Sequence, residues 1–226
     1  FMNDKAGAGG LTNTSVNFLY SYQIQINRKL ALMAGLKAGF QNRRYEFEDF
    51  IFPDQIANSD APSSAENDFR DQIVYANFGQ GVILYHIEKY WVGFSFDHLN
   101  RPNNAFGDQE ARLPISFSFQ GGYNIEIDNN LGGNSGTTLT FATLYKAQQK
   151  WDQLDIGAYY KVEPFVVGIW YRGLPIKNNE SSLPNYDAVM LMAGFNLDRI
   201  SFAYSYDITI SKLAGNTSGA HEVSLI

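Results

Sequence analysis

The stretch LTNTSVNFLYSYQIQI, residues 11–26, decides how this chain folds. Val16, Phe18, Tyr20, Tyr22, Ile24 and Ile26 occupy even positions, while Asn13, Ser15, Asn17, Ser21, Gln23 and Gln25 occupy odd ones. Leu19 interrupts the polar row. A period of two held over such a length is a strand with one apolar and one polar face, because successive side chains leave a strand on opposite sides. Beyond a turn at Asn27-Arg28-Lys29 the pattern resumes: Leu30, Leu32, Ala34, Leu36, Ala38 and Phe40 stand against Met33, Gly35, Lys37, Gly39, Gln41 and Arg43. The two segments predict a hairpin of long strands.

The same alternation runs through Tyr90, Val92, Phe94 and Phe96, through Leu113, Ile115, Phe117 and Phe119 to Ile127, through Leu154 to Tyr160, and through Ile200, Phe202, Tyr204 and Tyr206. About eleven strands are expected, near residues 11–26, 30–45, 77–87, 90–98, 112–127, 137–148, 153–162, 165–173, 187–197, 200–209 and 220–226. No helical segment is predicted. The composition agrees: 17 Phe, 14 Tyr and 20 Gly favour strands and tight turns.

Several function classes fall away on composition alone. Cysteine is absent, which excludes disulfide scaffolds, Cys-ligated zinc, iron–sulfur clusters and thiol nucleophiles. A net charge of −6 lacks the basic excess that nucleic-acid binding needs. No run approaches the roughly 18 consecutive apolar residues of a membrane helix. A membrane β-barrel passes that test unnoticed, since alternating strands average to an ordinary mean hydropathy of −0.25. Phe1, with neither an initiator Met nor a signal peptide, reads as the start of an internal piece of a longer precursor. Residues 1–226 are expected to form a single domain.

Connection lengths sharpen the picture. Those at Asn27-Arg28-Lys29, Glu88-Lys89, Glu163-Pro164 and Asp198-Arg199 are tight, whereas those near residues 46–76, 99–111, 174–186 and 210–219 are long. In an antiparallel meander successive connections lie at opposite strand ends, so short turns fall on one rim and long loops on the other. Residues 128–136 and 149–152 break this rule and point to a misplaced boundary there.

Such strands build either a soluble barrel or sandwich with the apolar face inside, or a membrane barrel with it outside. Three features favour the membrane. The polar rows carry Lys37, Arg43, Asp97, Glu126, Asp155 and Lys161 among Gly, Ser, Asn and Gln, a lining suited to a hydrated lumen. Aromatic residues gather near the ends of the apolar rows (Tyr20 and Tyr22, Phe40 with Tyr45, Tyr90 with Phe96, Tyr204 with Tyr206), as interfacial girdles do. The strands also outnumber the roughly eight of a filled soluble barrel. The fold class expected is all-β, a transmembrane antiparallel up-and-down β-barrel. An odd strand number cannot close an even-stranded bacterial barrel, so strands are expected to be missing, chiefly at the N-terminus, from a total of roughly 12 to 16.

Four stretches share a further likeness. Asn3-Asp4-Lys5-Ala6-Gly7, Val92-Gly93-Phe94-Ser95-Phe96-Asp97-His98-Leu99-Asn100-Arg101-Pro102, Trp170-Tyr171-Arg172-Gly173, and Tyr204-Ser205-Tyr206-Asp207 with Gly219-Ala220-His221-Glu222 resemble, in order and spacing, the PorP/SprF family. That resemblance implies a non-enzymatic outer-membrane barrel of the Bacteroidota type IX secretion system, of about fourteen strands, which aids secretion and surface attachment of large proteins such as gliding adhesins. The partners implied are periplasmic lipoprotein and peptidoglycan-binding components of the machine, the C-terminal domain of a secreted cargo, and outer-membrane lipid. No cofactor and no residue-level site come with the resemblance.

The residues themselves offer few chemical candidates. The histidines are His86, His98 and His221, without metal-ligand spacing. Asp97 and His98, as neighbours in a strand, point to opposite faces and so cannot form a catalytic pair. His221 with Glu222 follows a long loop and is placed to approach Asp207 and Arg172, as a rim hydrogen-bond network or, less simply, as a hydrolase centre. The connection after residue 45 is acidic and aromatic, with Phe47, Phe50 and Phe52 among its carboxylates. It reads as a partner-binding cap at the external mouth or as a lid folded into the lumen. Lys37, Arg43, Glu126, Asp155 and Lys161 are expected to form an internal salt-bridge lattice. Phe47, Phe50, Phe52, Asp97, Arg172, Asp207, His221 and Glu222 are thus the candidate partner-binding or rim residues. The functions in competition are an anchoring and secretion component, a channel or substrate-specific porin, and a barrel hydrolase.

Overall fold

A computed structural model describes residues 1–6, 10–45, 71–107, 110–127, 136–173, 187–197, 199–211 and 219–226. The strands are β1 (Met2–Ala6), β2 (Leu11–Gln25), β3 (Leu30–Arg44), β4 (Gln72–His86), β5 (Tyr90–Asp97), β6 (Ser116–Ile127), β7 (Thr137–Gln148), β8 (Trp151–Val162), β9 (Phe165–Arg172), β10 (Ala188–Leu197), β11 (Ile200–Thr209) and β12 (Ala220–Leu225). They form one 12-stranded sheet in chain order, the up-and-down arrangement of a barrel wall. Among the described residues there is no helix, and no pairing joins β1 to β12. The absence of a long apolar helix says nothing against crossing a membrane by strands.

Twelve strands replace the expected eleven. The addition is β1, where Asn3, Asp4 and Lys5 show no alternation, so pairing with β2 from Met2↔Ser15 to Ala6↔Leu11 is what makes it a strand. The irregular middle connections are real. Strand β6 ends at Ile127 and β7 begins at Thr137, while β7 and β8 stay paired up to Gln148↔Trp151 around the turn Gln149-Lys150, with Gln149 at φ 53°.

Two compact units are distinguished. The first comprises Phe1–Tyr22, Gly35–Gln80 and Phe96–Ile115; the second comprises Gln23–Ala34, Gly81–Ser95 and Ser116–Ile226. In the second, ladders run without a break from β6 to β12, and their register sorts side chains into two faces. One face carries Gln120, Asn124, Asp155, Lys161, Arg172, Asp207 and Glu222. The other carries Tyr123, Phe141, Ile156, Ile169, Leu191, Phe195, Tyr204 and Val223.

Burial follows the reverse of the soluble rule. Phe18 (66%), Leu36 (62%), Phe40 (60%) and Phe165 (63%) are widely exposed, whereas Asn77 (0%), Thr137 (2%) and Asp155 (3%) are buried. Among the described residues the buried apolar side chains are few: Ala31, Ile73, Pro102 and Ala188. A soluble domain of this size could not leave such an apolar surface in water. A hydrocarbon solvent accepts it, since the strands from β2 to β11 have a neighbour on each side to satisfy their backbones. Tyr20, Tyr22, Phe96 and Tyr204 do face outward as girdle residues would. Tyr45 does not: it packs edge-on against Phe106 at 5.9 Å.

Candidate functional site

In the first unit, polar side chains converge where β5 runs into its following loop. Lys37 of β3 donates to Asp97 Oδ2 at 2.6 Å. Asn77 Nδ2 of β4 and the His98 backbone N–H donate to Asp97 Oδ1 at 3.1 and 3.0 Å. With its amide nitrogen thus committed, the Asn77 carbonyl faces His98 Nδ1 at 2.9 Å and accepts its proton. The opposed orientation expected for Asp97 and His98 is corrected here. His98 adopts φ 58°, leaves the strand, and turns its ring back toward the face on which Asp97 lies. Gly79 makes room for this: a Cβ there would sit 3.0 Å from both Asp97 Oδ1 and the Phe96 carbonyl.

The same junction fastens the loop. Leu99 N–H donates to the Phe78 carbonyl at 3.0 Å, and the Asn100 side chain donates to the Ala76 carbonyl at 2.8 Å while accepting from Phe78 N–H. Further out, Asn103 pairs with Arg112 in a single bridge, and Asn103 Oδ1 accepts from the Ala111 N–H at 2.9 Å. Arg43 donates to Asn104 Oδ1 and lays its guanidinium 5.6 Å from the Phe106 ring centroid. Residues 98–107 and 110–115 of this connection are thereby fastened to the strand ends at several points.

In the second unit, Arg172 at the end of β9 joins three strands on the polar face. Its Nη1 lies 3.4 Å from Asp207 Oδ2 and its Nε 3.7 Å from Asp155 Oδ2, while Nη2 donates to Met190 Sδ at 3.1 Å. Asp155 also accepts two bonds from Gln153 Nε2, at 2.8 and 2.9 Å. One guanidinium bridging two carboxylates ties β8, β9 and β11 together beside the connections that follow β9 and β11.

His221 is not part of that cluster. Register places it opposite Tyr206, on the apolar face, where it stacks on Tyr206 with centroids 4.6 Å apart and shares a 2.6 Å hydrogen bond with the Tyr204 hydroxyl. Asp207 pairs with Ala220 and points to the other face, and Glu222, opposite Ser205, lies on that polar face too. The expected approach of His221 to Asp207 and Arg172 is therefore ruled out by alternation, and the nucleophile, base and acid of a hydrolase are not brought together there.

The expected lumen lattice resolves into separate small groups. Lys37 meets Asp97, Asp155 meets Arg172, and Lys161 meets Glu163 at 3.0 Å, whereas Arg43 meets the neutral Asn104. Phe47, Phe50 and Phe52 lie outside the described residues. Among the described residues no three His, Asp or Glu side chains converge as a metal site. Sequence reasoning missed Asn77, the buried centre of the first cluster: its row in β4 runs Ile73, Tyr75, Asn77, Gly79, Gly81, Ile83 and Tyr85, so alternation gave no signal for it.

At the short-turn end, Lys29 and Glu88 form an exposed 2.9 Å ion pair between neighbouring turns. The hydrogen bond and the charge of each raise the lysine and lower the carboxyl from their ordinary ranges.

No curated protein matches the sequence. A family model does: the type IX secretion system membrane protein PorP/SprF matches residues 1–226. An all-β sheet with an apolar exterior, polar clusters at its strand ends and a family match over its whole length agree, and the chain belongs to the PorP/SprF family of type IX secretion system membrane proteins.

Proposed function

We propose that the chain is a non-enzymatic outer-membrane barrel of the type IX secretion system, in a single domain, that aids secretion and cell-surface attachment of large proteins such as gliding adhesins in Bacteroidota. The observation that carries the membrane part is the reversed burial, with Asn77 and Asp155 enclosed and Phe18, Leu36 and Phe165 outside. Membrane β-barrels of this kind belong to the outer membrane. The anchoring role draws support from the family and from the fastened loop after β5, a fixed surface of the sort that partner recognition uses. The candidate contact residues are Asp97 and its loop, Arg172, Asp207 and Glu222, with Phe47, Phe50, Phe52 and the outer-face His221. The proposed partners are the cargo's C-terminal domain and periplasmic lipoprotein or peptidoglycan-binding components.

A mild-detergent pull-down of the full-length protein from native membranes, with co-purifying chains identified by mass spectrometry, tests the proposal. Recovery of secretion-machine lipoproteins or one large surface protein supports it. A lone barrel that conducts ions in a planar bilayer refutes it in favour of a channel.

A further inference from the structure

On the apolar face of β6 to β9 lies a depression of about 600 Å³. Cross-strand register places Gly121, Thr143, Ile156 and Tyr171 in one row and Tyr123, Phe141, Ala158 and Ile169 in the next. The floor is therefore Gly121, Thr143 and Ala158, and the walls are the bulky members of both rows. Thr143 offers its occupant nothing polar, because its hydroxyl donates to the Asp155 carbonyl at 3.1 Å. An occupant must be apolar.

Gly121 is the telling residue. Its backbone is not in the left-handed region, and a Cβ there would meet nothing closer than 3.4 Å, an ordinary contact. Its neighbour Gly122 is different, since a Cβ there would overlap the Trp91 ring. Glycine inside a strand costs stability. At 122 packing demands it; at 121 nothing in the fold does, and its effect is to keep the depression open.

The depression lies midway along β8, between Trp151 and Val162, hence near the bilayer centre, where lipid headgroups do not reach. It is continuous with the exposed apolar surface of Tyr123, Phe141, Ile156 and Ile169. Strands stand about 4.8 Å apart, so a floor two strand spacings across is too narrow between its walls for a partner helix of about 10 Å diameter. The strands beneath are paired on both sides and offer no edge for strand addition. A thin, flexible hydrocarbon fits. We infer that this depression is a binding site for the distal half of a phospholipid acyl chain, pinned against β6 to β8. The inference rests on the membrane reading above.

The test reconstitutes the full-length protein in phosphatidylethanolamine vesicles containing a phospholipid with a diazirine near its acyl terminus, followed by irradiation and peptide mapping. Label on Tyr123, Phe141, Ile156 and Ile169 should exceed that on Val167 and Phe195, outer-face residues away from the depression, by about tenfold, the ratio for a site preference of about 1.4 kcal/mol. Gly121→Leu should bring it down to their level, and Gly121→Ala, the milder variant, should lower it partway if the larger side chain prevents folding. Even labelling over the whole apolar face, or enrichment unchanged by both variants, overturns the inference and leaves the membrane reading standing. Absence of label anywhere on that face overturns both.

Discussion

Replacing Asn77 by Ala should release the loop after β5. Asn77 is fully buried and is the middle member of the chain from Asp97 to His98. The change removes a donor from a carboxylate, worth about 1.5–3 kcal/mol, and an acceptor from an imidazole, worth about 0.5–1.5 kcal/mol. Lys37 and the His98 N–H still serve Asp97, which places the net loss near 3 kcal/mol, in the lower half of the summed range of about 2–4.5 kcal/mol. Expressed as local opening, that is an increase of about two orders of magnitude. Hydrogen–deuterium exchange in detergent micelles reads it directly at the Leu99 and Arg101 amides, which bond to the Phe78 and His98 carbonyls. Faster exchange there, with the β7–β8 ladder unchanged, is the expected outcome. Equal protection in variant and parent would refute the account of the junction as a polar lock.

Arg172→Leu should destabilise the protein by about 2–3 kcal/mol, because Asp155 remains enclosed with Gln153 as its one side-chain partner among the described residues, whereas Asp207→Asn should cost under about 1 kcal/mol; thermal unfolding in detergent compares them. Gly122→Ala should cost about 1–3 kcal/mol through collision with Trp91, and Gly121→Ala should be neutral or stabilising, as read by urea titration. For the Lys29–Glu88 pair the lowered carboxyl gives stability present above the ordinary carboxylate range and lost as pH falls through its folded value. The raised lysine gives stability present below the ordinary lysine range and lost as pH rises through its folded value, so between these limits the contribution is flat. Glu88→Gln should abolish the acid-side loss in a pH series of unfolding curves, and retention of that loss would assign it elsewhere.

Much of the sheet was legible because alternation is a local property, clearest in β2, β3, β5, β6, β8 and β11. Strand β1 was not, since Asn3-Asp4-Lys5 carries no apolar row and owes its conformation to β2. Strand β6 begins at Ser116 rather than 112 because Arg112 is drawn into a bridge with Asn103. The candidate site was legible in its residue types but less so in its partners. Arg172 and Asp207 do meet, yet the third member, Asp155, sits in a different strand, and only register brings it close. The reversal at His98 depends on one backbone angle that no side-chain pattern announces.

The reversed burial also sets two different rules for how this chain can change. Outward side chains such as Phe18, Leu36 and Phe165 have a fluid neighbour that reshapes itself around any hydrocarbon, so Phe, Leu, Ile and Val are interchangeable there at little cost. Asp97, Asn77 and His98 have rigid neighbours with directed lone pairs and protons, where even an isosteric exchange leaves something unmatched. Drift over generations should therefore erase spelling on the outer face while preserving its greasiness, and hold the spelling of the inward clusters letter by letter.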